Sequence, residues 1–525
     1  MSEAAAASQS APHLRRDVSV WGSYMWGFAD VGADTYVALG LVIAASQGGA
    51  ALSFALAGLV YIFIGLAYTE LAAAYPVAGG GQYFALRGLG DFWGMVAGSA
   101  LLLDYTIDIS LFALASAGYF NYLVQLFTGF APQAAVISLG SLVPNFQWLF
   151  CLETLLLIGF LLALNIKGMR ESSLLNEVVG ILVICLESLL VLLGFLFAWK
   201  PELLAQQWHQ SFPPFGQFLY GSTLAIISFV GLESISQAAQ ETRRPATVIP
   251  RTSISLIFTV FIFAVSFSVM GLGILDWQVF AANKENPIAK LAEAIPGIGL
   301  IAGPFAAVLG AIVLLISSNS GVMSASRVTY SMSQFGLISK WFDKVHPRFH
   351  TPVRTILVFS GIGALETIIA FLTKSAISTL ADMYAFGATF GYTLVFISLI
   401  VLRFKDPHTP RPYQMPLNVG VNWKGTRVSF PLLGIIGALS VFGFLLGVIY
   451  THRAARIAGP AWVVMSALYY LWYRKSHRLP ILGNLHRDWE KDQIQVLTSA
   501  EEFDLLEQYR AALARRDKIK GGSLG

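Results

Sequence analysis

Four aspartates sit in two apolar runs, and within each run the pair is four residues apart. In "GFADVGADTYVALG" they are Asp30 and Asp34, and in "LLLDYTIDISL" they are Asp104 and Asp108. On a helix, positions i and i+4 share a face, so each run presents two carboxyls side by side. A carboxylate at the bilayer centre costs about 2.5–3.5 kcal/mol even on the lenient insertion scale. Close carboxylates in a dry site cannot all ionise, and they titrate as a coupled set. Protons or a bound cation relieve the repulsion, so the chemistry these residues suit is cation and proton handling. The alternative is that each acid is a hydrogen-bonded helix-packing residue.

A second constellation combines glycine with acid near the middle of an apolar run. The first run has Gly27, Gly32 and Asp34, and the sixth, "STLAIISFVGLESISQAAQ", has Gly231 and Glu233. Transporters built from inverted repeats place substrate at paired, interrupted helices near the bilayer midplane. Runs one and six would be equivalent members of two five-helix repeats. The competing reading, that these glycines only permit close helix packing, is weakened by the match between the two runs.

The elements that must position these residues follow from composition. Of 525 residues, 56% are hydrophobic and only 12% charged, about half the charge of a soluble chain. Apolar runs of about 20 residues recur along the sequence, so the expected class is an all-α integral membrane protein. Twelve spans are expected at 19–46, 50–75, 92–125, 148–166, 173–199, 215–240, 252–275, 298–333, 353–374, 378–403, 429–451 and 457–474. Arg15, Arg16, Arg87, Lys167, Arg170, Arg243, Arg244, Arg251, Lys340, Arg403, Lys405 and Lys424 then fall on one side. The positive-inside rule makes that side, and both termini, cytoplasmic. No cleavable-signal pattern precedes the first span, which is expected to act as its own insertion signal. Cys151 and Cys185 both lie in apolar runs, which argues against a disulfide or a metal cluster. "GGGQ" at 79–82 lacks the lysine and preceding strand of a phosphate cradle, so ATP-driven transport has no support; no cofactor and no nucleic-acid partner are expected. The tail, 475–525, is charged, with Leu505, Leu506 and Tyr509 on one helical face. It is expected to rest on the membrane domain or on a second copy of the chain, in a homodimer.

Three stretches carry a resemblance. "ISFVGLESISQAAQETRRPATVIPRTS" is similar to the sixth-helix signature of amino acid–polyamine–organocation (APC) permeases. "NSGVMSASRVTYSMSQFGLISKWFDKVHPRFHTPV" resembles the family's eighth helix and following loop, and "YTELAAAYPVAGGGQYFALRGLGDFWGMVAG" its second-to-third helix region. The similarity runs from about residue 20 to 405. It implies a LeuT-like fold of 5+5 inverted repeats, at about 19–199 and 215–403, with peripheral helices over 429–474. The branch with an "LLLDY" third helix and an acidic tail often adds a stress-protein-like domain, which is not expected here.

The resemblance also implies site residues. The unwound first helix of such permeases, whose bare amides receive a substrate carboxylate, matches Gly32-Ala33-Asp34-Thr35-Tyr36. Asp34 stands where a glycine would leave the amides open, and Asp108 where the related branch commonly has threonine. Phe229 matches the family's aromatic gate, and the carbonyls around Ser228 to Gly231 would receive a substrate ammonium. Glu233 would steady the break or relay protons. Ser317, Ser318 and Ser320 fall near the hydroxyl pair of sodium-coupled relatives. Val183 replaces the lysine of some proton-coupled members, and Glu187, one turn on, is a candidate proton carrier. The expected function is proton-coupled, secondary-active transport of amino acids or related cationic amines across the inner or plasma membrane, by alternating access. The alternatives are a proton-coupled potassium importer, in which Tyr36 and Thr106 would take part, and a sensor that binds without translocating.

Overall fold

The computed structural model describes residues 20–140, 143, 145–167, 172–240, 242–349, 351–423, 425–481 and 483–522. The segment 1–18, Arg170 and Lys424 lie outside these. The long apolar runs form helices within about four residues of the expected bounds, except that the seventh begins at Pro245, ahead of the expected 252. They are α1 (Val20–Ser46) and α2 (Ala50–Ala74), then a short α3 (Gly81–Leu89), then α4 (Asp91–Thr128), α5 (Trp148–Lys167) and α6 (Ser172–Phe197). A short α7 (Pro201–Gln210) leads to the sixth run, which is split into α8 (Phe215–Leu224) and α9 (Glu233–Gln237). Beyond it come α10 (Pro245–Ile274), two short helices α11 (Trp277–Ala282) and α12 (Pro287–Glu293), and α13 (Gly299–Gln334). Next are α14 (Val353–Phe371), α15 (Ala376–Lys405), and an antiparallel hairpin of β1 (Asn418–Trp423) and β2 (Thr426–Pro431). The chain closes with α16 (Leu432–Thr451), α17 (Arg453–Ser476), α18 (Trp489–Ser499) and α19 (Phe503–Gly522).

Among the described residues, ten stretches are long and apolar enough to cross a membrane, and the first of these, Val20–Ala74, holds both α1 and α2. The chain is therefore a multi-pass integral membrane protein. The twelfth expected span forms as α17 but is not among the ten, because Arg453, Arg456, Arg474 and Lys475 lower its hydropathy.

Two groups of helices pack on themselves and meet along a seam. One contains α1, α2, α10 and the split helix, and the other contains α4, α13, α14 and α15. Polar hairpin and connecting residues at one end of the seam are fixed by buried ion pairs. Glu70 of α2 receives Arg403 of α15 at 2.6 Å through both Nε and Nη2, as well as the backbone N–H of Met415 at 2.9 Å. Asp91 at the start of α4 is held by Arg474 and Arg487. Arg87 donates to Asp406 at 2.7 Å, and Tyr75 donates to the same oxygen at 3.1 Å.

The two runs expected to be interrupted behave differently. The first does not unwind: α1 continues through Gly32, Ala33, Asp34 and Tyr36 as one α-helix. With helical bonding unbroken, the amides of 32–36 are taken by the preceding turn and cannot receive a carboxylate. The sixth run is interrupted. It tightens to a 3₁₀ turn at Ala225–Phe229, extends at Val230 (φ −81°, ψ 156°) and reverses at Gly231 with φ +107°, a conformation that side chains with a Cβ rarely adopt.

Candidate functional site

The break places Glu233 at the first position of α9, where its side chain turns back over the interruption. Its Oε2 accepts from the Gly231 N–H at 3.1 Å and from the Tyr392 hydroxyl of α15 at 3.0 Å. A helix start leaves backbone N–H groups without intrahelical partners, and a carboxylate there satisfies them. The Asp104 carboxyl of α4 lies against that of Glu233. Among the described residues, neither Asp104 Oδ1 nor Glu233 Oε1 meets a donor.

The other three aspartates close the group. Asp30 of α1 accepts from Ser317 at 3.4 Å, with Ser320 and Ser234 facing the same carboxyl. A Cβ at Gly231 would stand 3.1 Å from Asp30 Oδ2, so the break is pressed directly against α1. Asp34 has Asp108, Asp30, Glu233 and Asp104 as electrostatic neighbours, and its Oδ2 meets no donor among the described residues. Asp108 accepts from the Tyr384 hydroxyl at 3.1 Å and packs against Gly321 of α13. All five are closed to solvent, with Asp30 the most exposed at 7%. Among the described residues no arginine or lysine pairs with any of them. Nor do three His, Cys, Asp or Glu side chains converge as a metal would require. The buried arginines Arg87, Arg403 and Arg474 are committed to other acids. Coulomb's law favours a positive charge in such a place, because it meets several negative or dipolar groups without a competing cation.

The remaining expected residues separate into neighbours and outliers. Ser317 and Ser320 join the acids, whereas Ser318 donates to the Ile109 carbonyl at 2.8 Å and serves helix packing. The expected hydroxyl trio is therefore divided. Ser228 is fully buried in the 3₁₀ turn, with no partner for its hydroxyl among the described residues. Phe229 stacks on Tyr61 of α2 at a centroid distance of 5.0 Å. Gly32 packs on the ring of Phe28 and Ala33 is fully buried. Tyr36 leans on Tyr119 and has Glu187 as an electrostatic neighbour, away from the carboxyl group. Among the described residues, neither oxygen of Glu187 meets a donor. Thr106 donates to the Leu103 carbonyl and to Glu366 of α14, each at 3.0 Å. Tyr384 and Tyr392 were not anticipated. Their only signal is a polar hydroxyl, recurring about two turns apart, in an otherwise small and apolar run, "MYAFGATFGYT".

A split helix, a buried acidic centre at its break and ten apolar stretches describe a solute carrier. The family model described as "Amino acid permease" matches residues 19–471. The chain belongs to the amino acid permease family. A branched-chain amino acid permease of Bacillus subtilis is 26% identical over 90% of this chain and 96% of its own length. A methylthioribose transporter of the same organism is 26% identical, over 91% and 97% respectively. Cationic amino acid transporter 4 of Mus musculus is 29% identical over 76% of this chain and 61% of its own length. The APC resemblance of the three sequence stretches is thereby upheld, and the protein is a secondary-active transporter of small solutes, not an enzyme.

Proposed function

We propose that this permease carries amino acids or related amines with a net positive charge, coupled to protons, by alternating access. The observation that carries the reading is the group Asp30, Asp34, Asp104, Asp108 and Glu233, buried together with no basic partner among the described residues. A cationic side chain or a second ammonium supplies the missing charge. Protons on the acids supply it when the substrate is absent, which links occupancy of one to release of the other. Continuous helical bonding along 32–36 disfavours the expected capture of a substrate carboxylate by α1 amides. A protonated Asp34 donating to that carboxylate takes its place in this reading, and the carbonyls beside Val230 and Gly231 receive the α-ammonium. Phe229 acts as the gate, and Ser317 and Ser320 orient Asp30.

The framework proposed is LeuT-like, with 5+5 inverted repeats, twelve crossings, both termini cytoplasmic and the inner or plasma membrane as location. The split of the sixth helix supports it, although α1 lacks the matching split. A potassium importer is less well supported, since the Thr106 hydroxyl is bonded to Leu103 and Glu366 and the Tyr36 ring lies against Tyr119 with Glu187 as its charged neighbour. Flux into proteoliposomes tests the proposal. L-Lysine, L-arginine and putrescine should enter, driven by an acid-outside pH gradient and stopped by a protonophore. Preferential entry of L-leucine or methylthioribose, or of potassium, would overturn the substrate class. Entry of lysine unaffected by the protonophore would overturn the coupling.

A further inference from the structure

The hairpin β1–β2 joins the ends of two stretches long and apolar enough to cross the membrane, Ala376–Lys405 and Leu432–Thr451. It therefore lies at the edge of the apolar layer. Its register pairs Val419 with Phe430, Val421 with Val428 and Trp423 with Thr426. Strand side chains alternate, so these six share one face, and the asparagines and Arg427 take the other. The apolar face leans on the last turns of α15, where Phe404 meets Trp423 at a centroid distance of 5.6 Å and Phe430 at 6.0 Å. It is not fully covered there, since Trp423 is 48% exposed and Val419 46%.

An open groove of about 800 Å³ runs between the hairpin and α15. Ile400, Phe404, Trp423 and Val428 give it apolar sides, and Lys405 and Arg516 bring two cations to it. Among the described residues no carboxylate lines it. Lys405 donates from Nζ to the carbonyls of Arg87 at 3.0 Å and Gly88 at 3.2 Å. These partners are neutral, so they fix the ammonium without cancelling its charge, and an ammonium has a third N–H to give. Arg516 of α19 is oriented by Glu490 and Asp517, both open to solvent. Solvent-facing pairs of this kind are weak, and a guanidinium has five N–H groups, more than these two acids take. Ile400 precedes Lys405 by five residues, about 7.5 Å along the helix, so the apolar sides lead from the cations into the span. A free inorganic anion would leave those sides unused, and a neutral apolar solute would leave the cations unused. A molecule with an anionic head and an apolar body matches both, and the membrane supplies it.

We propose that this groove binds an anionic phospholipid from the leaflet at this end of the permease, with its phosphate between Lys405 and Arg516 and an acyl chain along Ile400, Phe404 and Val428. The phosphate oxygens accept charge-assisted hydrogen bonds from the ammonium and the guanidinium. The bound lipid ties α15 to α19, and so joins the C-terminal segment to the membrane as well as to the protein. The site is independent of which solute is carried and of how transport is coupled.

The test places the full-length permease in phosphatidylcholine nanodiscs holding a small fraction of phosphatidylglycerol with a diazirine on its acyl chain. On illumination the probe should attach to the peptides that contain 400–404 and 423–428, and unlabelled phosphatidylglycerol should compete it away. Phosphatidylcholine with the same diazirine should attach there no more than it does along α5. Lys405 also holds α3 through two carbonyls, so the variant chosen is Arg516→Gln, on the outer helix α19. It should lower attachment of the phosphatidylglycerol probe in the groove about fivefold, the share of one cation at an anionic membrane surface, and leave attachment along α5 unchanged. Equal attachment of the two probes in the groove would overturn the proposal, as would attachment only elsewhere or unchanged attachment in a folded Arg516→Gln protein. Displacement of the probe by inorganic phosphate would overturn it too, making this a site for a free anion.

Discussion

Two sets of buried acids lie in the same helix bundle and are treated in opposite ways. Glu70 and Asp91 each meet two arginines, and Asp406 meets Arg87. The five acids at the break of the sixth helix meet hydroxyls, one backbone N–H and one another. A paired acid is self-sufficient, and its charge serves to hold helix ends in place. An unpaired one is a cost to folding that remains useful only if something else arrives to balance it. On the proposed function, the difference sorts buried carboxylates into those that build the permease and those that work in it.

The largest effect expected from breaking this contrast is at Glu70–Arg403. Removing one partner of a buried, doubly bonded pair leaves a bare charge and costs about 3–5 kcal/mol. Glu70→Ala or Arg403→Ala should lower the yield of folded protein and the midpoint of thermal unfolding in detergent sharply. Asp34→Asn should leave that midpoint unchanged or raised, since it removes an unbalanced acid. Equal destabilisation by both would erase the distinction.

Next in size is the break itself. Gly231→Leu forces a Cβ into a φ of +107° and to within 3.1 Å of Asp30 Oδ2. The backbone strain alone is about 1–3 kcal/mol, and the side chain fills the approach to the acids. Binding of the transported solute, read by isothermal calorimetry, should be lost and not merely weakened. Unchanged affinity would place the solute elsewhere.

The acids come third. Asp34→Asn or Asp108→Asn removes one charge at nearly constant volume, and losing a charge-assisted contact costs about 1.5–3 kcal/mol, roughly ten- to hundredfold in affinity. The double variant should lose less than the sum, because both changes act on one coupled group. Uptake by either variant should also lose its pH dependence. Wild-type affinity and pH response in both single variants would make these acids packing residues, like the paired set.

How far the sequence carried this reading differs between the two sets. The central acids were legible because charge inside a long apolar run is conspicuous, and i, i+4 spacing puts each pair on one face. Gly231 was legible for the same reason, as a helix breaker beside an acid. The paired set was not, because Glu70 and Arg403 lie in different apolar runs and only the packing of α2 on α15 joins them. Tyr384 and Tyr392 escaped because a tyrosine in an apolar helix reads as core. The continuity of α1 was missed for another reason: Gly32 looks like a matching break, but its neighbours keep helical geometry and its space is taken by Phe28. Of the tail face, Leu506 and Tyr509 are buried as the periodicity predicts, with Leu505 packed beside them. The tail's reach to Ala74 and Asp91, through Gln493 and Arg487, depends on polar side chains that no periodicity marks.

The smallest expected effect is a null, and it separates the two sets by pH alone. Burial would push the Asp406 carboxyl up, but the Arg87 guanidinium, with Thr409 and Arg411 adding to it, holds it below the ordinary carboxylate value. A depressed folded-state value contributes stability that is complete above the unfolded value, about 3.9, and is lost as pH falls through the folded one. Between pH 8 and pH 5 the Arg87–Asp406 pair is therefore fully charged at every point, and its contribution is constant. The gap in unfolding midpoint between the parent and Asp406→Asn should stay flat over that range and close only on strong acidification. Transport by the Asp406→Asn variant should keep the parent's pH profile in shape, because in the proposed function the acids that respond to proton supply are the unpaired ones. A gap that varied between pH 8 and pH 5, or a shifted transport profile, would mean that the paired set takes part in proton handling and that the two treatments of buried charge are not separate.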